Sequence, residues 1–126
     1  MEIATQLPLS DAERGEMLAA AERRPEAHKL LAHLVIGSGL PLEHALELSV
    51  ADVTEDGGGV EVQTPSGSLT LAAEPARLAQ QLVRDAAPDT PLLHGRAGNG
   101  IDPIAARGAL LSLAQRAGVP AARLAA

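Results

Sequence analysis

The sequence predicts a mainly α-helical fold with one small antiparallel β-hairpin. Three observations carry that prediction. Apolar residues recur at helical spacing in five stretches, each opened by a capping residue or a proline. One stretch alternates instead: Val60, Val62, Leu69 and Leu71 are spaced by polar residues. Twelve Gly and nine Pro punctuate the chain between these stretches.

Ser10 opens the first helix. Glu13 stands three residues on, the spacing at which each side chain reaches the other's backbone N–H. That helix is expected over residues 11–24, with Met17, Leu18 and Ala21 inward and Leu7 and Leu9 packing at its start. Pro25 suits the first turn of a second helix reaching Ile36, with Leu30, Leu31, Leu34 and Val35 as its stripe. Gly37 and Gly39 end it. Pro41 opens a third helix over residues 42–48, with Leu42, Ala45 and Leu46 inward. Asp52 and Gly57–Gly59 read as its exit and a loop.

The alternating run follows, turning at Thr64-Pro65-Ser66-Gly67. Pro75 starts a fourth helix whose Leu78, Leu82 and Val83 face the core. Asp102 and Pro103 form the cap and first turn of a fifth. Its inner side is expected to hold Ile104, Leu111 and Ala114, widened by Leu110 and Leu113. Gly118 stops it. Residues 1–24 read as an N-terminal segment and first helix, and residues 25–126 as the core, packed together as one domain of 126 residues.

Composition narrows the functions. There is no Phe, Tyr, Trp or Cys, so the core is aliphatic and neither disulfides nor thiolate metal ligands exist. No aromatic platform for sugars or unstacked bases is present. The longest apolar run, Leu30–Ile36, carries His33 and is too short to span a bilayer. No signal peptide is visible, and a cytoplasmic, non-membrane protein is expected. The net charge of −6 is uneven: acids dominate residues 1–91, whereas residues 92–126 hold four Arg and one Asp. An acidic body is a poor general surface for nucleic acid, because phosphate contacts need Lys and Arg.

The stretch Gly39-Leu40-Pro41-Leu42-Glu43-His44-Ala45-Leu46-Glu47-Leu48, followed by Asp52, resembles the first motif of the tyrosine recombinase (phage integrase) catalytic domain. The alternating hairpin resembles that family's strand pair. Residues 91–119 resemble its segment closing on Ala-Gly-Val. The similarity covers roughly residues 25–119 and implies the recombinase core, lacking its C-terminal active-site elements.

The departures bear on activity. The resemblance implies a phosphate-binding arginine where this chain has Pro41, and an acidic residue where it has His44, beside Glu43. It implies a hairpin lysine near Thr64–Ser66, but the one lysine of the chain is Lys29. The His-x-x-Arg-His motif would follow Val119, and residues 120–126 do not hold it. The nucleophilic tyrosine is missing. Cleavage by this route needs a nucleophile and cations around the developing phosphorane charge, and proline offers no donor.

Other sites are weaker. His28 and His33 stand five apart, off a common helix face, and match no metal motif, so ordinary surface or boundary positions account for them. Glu43 and Glu47 share a face at a spacing typical of solvated helices. The Gly-rich run His94–Gly100 follows no nucleotide-binding pattern, although Arg96 would suit an anion there.

The expected function is a catalytically inactive, recombinase-like binding or structural module acting through protein contacts, with a homodimer or another protein as partner and no cofactor or metal. Its binding surface is expected among Pro41, Glu43, His44, Arg96, Arg107, Arg116 and Arg123. Two alternatives stand beside it. One is an accessory protein that meets duplex DNA through Arg96, Arg107, Arg116 or Arg123, although Arg107 and Arg116 fall nearly opposite on a straight helix. The other is an enzyme of unrelated chemistry built on Glu43 and His44.

Overall fold

The computed structural model describes residues 10–56, 59–65, 67–84, 86–94 and 100–119, and for Asp56 the backbone alone. Helix α1 runs Asp11–Ala20. Ser10 Oγ accepts from the Glu13 N–H at 3.0 Å and Glu13 Oε1 from the Ser10 N–H at 2.9 Å. Two donors that the first turn leaves unpaired are thereby satisfied. The helix then tightens into a 3₁₀ turn over Ala21–Arg23, ahead of Pro25. It is shorter than expected because the residue before a proline is pushed out of the α region, and Arg24 is extended.

Helix α2 runs Glu26–Ala32 and widens into a π turn over His33–Gly37. The widening shows in the bonds: the Ser38 N–H reaches the His33 carbonyl and the Leu40 N–H reaches Leu34. This helix is central. Ala27, Leu30, Leu31, Ala32, Leu34 and Ile36 are all buried. Helix α3 runs Leu42–Glu47 behind Pro41, and its Ala45 is buried.

Three strands follow where two were expected. β1 (Val53–Asp56) pairs antiparallel with β2 (Gly59–Thr64), which pairs antiparallel with β3 (Gly67–Thr70). β1 occupies part of the stretch read as a loop. Val-Thr-Glu-Asp has one apolar residue, so an edge strand held by backbone pairing leaves no alternation to see. Val62 lies opposite Val53 on one side and Leu69 on the other. With buried Val60 it forms the face that packs on α4.

Helix α4 runs Ala73–Val83 and buries Pro75, Leu78, Ala79 and Leu82. Pro75 falls in the first turn, where its missing N–H costs no helical bond. The return segment is clamped beneath α3: Val50 N–H donates to Thr90, Ala51 N–H to Pro88 and Leu92 N–H to Leu48. Leu92 and Leu93 are thereby carried into the core.

Helix α5 runs Pro103–Ala117. Asp102 Oδ2 accepts from the N–H groups of Ile104 (3.0 Å) and Ala105 (3.1 Å). At the far end Gly118 adopts φ 76°, Gly118 N–H bonds Gln115 and Val119 N–H bonds Ala114, and Val119 is buried. That is a Schellman stop with its hydrophobic contact, and the left-handed residue is glycine for lack of a Cβ.

The inner stripe of α5 differs from the expected one. Ala106, Leu110, Leu113 and Ala114 are buried, Leu111 is half-buried, and Ile104 is 82% exposed. Two of the four buried positions are alanines, and α5 packs against α1. Ile104 lies about half a turn from Leu113 and so points out.

Candidate functional surface

Helices α3 and α5 lie side by side, and five of the seven expected surface residues sit on or next to them. Pro41 is half-buried at the start of α3, and its carbonyl accepts from the Ala45 N–H at 3.1 Å. Glu43 is exposed one turn away from exposed Glu47. His44 is half-buried, and its Nδ1 is enclosed without a hydrogen-bond partner. Arg107 and Arg116 are exposed on α5, on opposite flanks of its outward strip. Arg96 and Arg123 lie outside the described residues.

The structure brings Glu43 and His44 onto the helix next to the two arginines, but it does not gather the arginines into one patch. No hydrogen bond or ion pair joins Glu43 to His44 among the described residues. No group of three or more His, Asp or Glu among them could hold a metal ion. No described helix is long and apolar enough to cross a membrane.

Sequence reasoning missed the polar seams. Arg24 Nη2 donates to Ser112 Oγ at 2.9 Å, joining the end of the first helical segment to α5 across 88 residues of sequence. On α4, Arg77 Nη2 donates to Glu74 Oε2 at 2.6 Å. That bond and the guanidinium charge hold the Glu74 carboxyl below its ordinary range. With its amide oriented by its neighbours, Gln81 donates to Glu26 at 2.9 Å and accepts from Arg77 at 3.2 Å. The i,i+3 spacing of Glu74 and Arg77 was the signal for one of these contacts. The others are tertiary and leave no local pattern.

Two histidines sit in those seams. Burial lowers the pKa of His28, and the Arg24 charge lowers it further. Burial also lowers His33, opposed by the carboxylates of Glu74 and Glu22 and reinforced by Lys29. A third, His94, donates from Nε2 to the Leu82 carbonyl at 2.8 Å, fixing the end of α4 to the return segment. All three are half-buried, and none is among the seven expected surface residues.

In comparisons with protein-family models, curated proteins and solved structures, the chain matches none.

Proposed function

We propose that this chain is a non-catalytic binding or structural module of recombinase-like layout that works through protein contacts. One observation carries the reading: the position that the recombinase motif gives to a phosphate-binding arginine is Pro41, half-buried at the start of α3. A proline there donates no hydrogen bond and carries no charge. The turn between β2 and β3 likewise offers no lysine, and the sequence holds no tyrosine. In-line phosphoryl chemistry draws most of its rate from cations placed around the developing charge. Removing the arginine and the lysine together leaves the shape of such a site without its chemistry.

The test is direct. The purified chain is incubated with supercoiled and linear duplex DNA, and nicking, relaxation and protein–DNA adducts are scored. No product of any kind is expected, and no gain on substituting Pro41→Arg alone. Cleavage or religation by the wild-type chain overturns the reading.

A further inference from the structure

We infer that the face formed by α3 and α5 is a self-association surface, and that its occupant is a second copy of this chain related by a two-fold axis. The inference rests on the protein-contact reading and gives it a partner and a place. The outward strip of α5 is unfinished for water. Ile104 is 82% exposed, the one large apolar side chain so exposed among the described residues. Half-buried Leu111 extends the strip about two turns further along. Between them Gly108 leaves the helix surface low, since a Cβ there would meet nothing within 4 Å. Another backbone can therefore approach α5 closely at its middle.

Charge selects the occupant. Arg107 and Arg116 flank this strip, and α5 itself carries no carboxylate. Neither arginine has an ion-pair or hydrogen-bond partner among the described residues. The neighbouring α3 exposes Glu43 and Glu47 four apart, while its half-buried Leu42 and Leu46 pack toward the core, and neither carboxylate is paired among the described residues. Helix α5 thus carries one cation on each flank of its apolar strip, and α3 carries two anions on one exposed face, all four without a partner among the described residues.

A two-fold rotation brings α5 of each copy against α3 of the other, so each complementary pairing is made twice and the assembly closes. Packing α5 on α5 alone would set arginine near arginine. Duplex DNA would have to accept Glu43 and Glu47 beside its phosphates. The patch is short, as α5 spans about 22 Å, so the association is expected in the micromolar range and weakened by salt.

Sedimentation equilibrium of the full chain, from micromolar to millimolar concentration, tests this. A monomer–dimer equilibrium is expected. Ile104→Asp should weaken it by about tenfold or more, because a carboxylate would be buried unpaired. Arg107→Glu with Arg116→Glu should weaken it as well, and adding Glu43→Arg with Glu47→Arg should restore it. Circular dichroism checks that each variant is folded, which is expected because all five positions lie outside the core.

A wild-type monomer throughout that range overturns the inference. So does a dimer indifferent to Ile104→Asp, or low-salt binding of a random-sequence duplex that Arg107→Glu with Arg116→Glu abolishes. None of these outcomes produces cut DNA, so failure here is distinguishable from failure of the non-catalytic reading.

Discussion

Helices α4 and α5 both bury one stripe in the same core, yet they finish their other surfaces in opposite ways. The outward charges of α4 are neutralised locally. Arg77 is held by Glu74, Gln81 lies between Arg77 and Glu26, and Gln80 reaches Glu55 on β1 at 3.4 Å. Its N-terminus has no side-chain cap, since Ala72 stands there. On α5 the ends are complete, with Asp102 at the start and Gly118 at the stop, while the outward face keeps Arg107 and Arg116, unpaired among the described residues, around exposed Ile104. Helix ends and helix surfaces are thus independent choices. On the self-association proposal, the open face of this well-terminated helix reflects what it meets rather than how well the helix forms.

If the inner faces are equivalent, their core leucines should cost alike, and this is the largest effect expected. Leu78 of α4 is fully buried and Leu113 of α5 is 2% exposed. Leu78→Ala and Leu113→Ala should each destabilise by about 2–5 kcal/mol, through lost transfer energy and the cavity left behind. Urea unfolding measures both. A loss at Leu113 far below that at Leu78 would show α5 to be a loosely attached element, and the contrast between outer faces would then lose its meaning.

The helix ends should differ in sign. Asp102→Ala removes a side chain that accepts from two backbone N–H groups and should cost about 1 kcal/mol. Ala72→Ser adds an acceptor where none exists. Ala72 already holds the extended backbone that a cap requires, φ −71° and ψ 176°. That substitution should stabilise by a fraction of what Asp102→Ala loses. Equal and opposite changes, or a gain at both sites, would refute the assignment of cap strength from geometry.

Stability should also fall with acid, through the seams on either side of α2. His28 and His33 both have folded pKa values below their ordinary 6.5. The folded state therefore disfavours their protonation. Their contribution is fully present above pH 6.5 and is lost as the pH falls through the lowered values, where the unfolded chain binds more protons. Glu74, lowered from 4.5, acts in the same direction further into acid. His33→Gln should flatten the pH dependence of the urea midpoint just below neutrality and, because the His33 charge helps to lower Glu74, should slightly weaken the acid-side dependence as well. An unaltered slope would place the proton uptake elsewhere.

The parts of this structure that the sequence reveals are those set by neighbours in the chain. Ser10 with Glu13, Asp102 with Pro103, and Gly118 each act within a turn, and the helices begin or stop where those residues predict. The strand β1 was hidden because its pairing is made by backbone atoms and its four residues include one apolar side chain. The phase of α5 was hidden for another reason. Leucines and alanines run around the helix, so its sequence alone does not decide whether Ala106 and Ala114 or Ile104 face inward; the packing on neighbouring helices does. The candidate surface was half visible: Pro41, Glu43 and His44 share a motif. Only the packing of α3 beside α5 sets Arg107, Arg116 and exposed Ile104 on the helix next to that motif.

The smallest expected effect is at that residue. Ile104→Ala should change stability by no more than about 0.5 kcal/mol, as for other surface substitutions free of special geometry. The side chain is 82% exposed and packs against no part of the buried core. Buried Ile36, 5% exposed, is the internal control: Ile36→Val alone should cost about 0.5–1.5 kcal/mol. Measured at low protein concentration, where association contributes nothing, Ile104→Ala should leave the urea midpoint in place while Ile36→Val lowers it. A loss at Ile104 rivalling that at Ile36 would mean the side chain is packed inside one protomer. The outer face of α5 would then be as finished as that of α4, and no second copy would be needed to cover it.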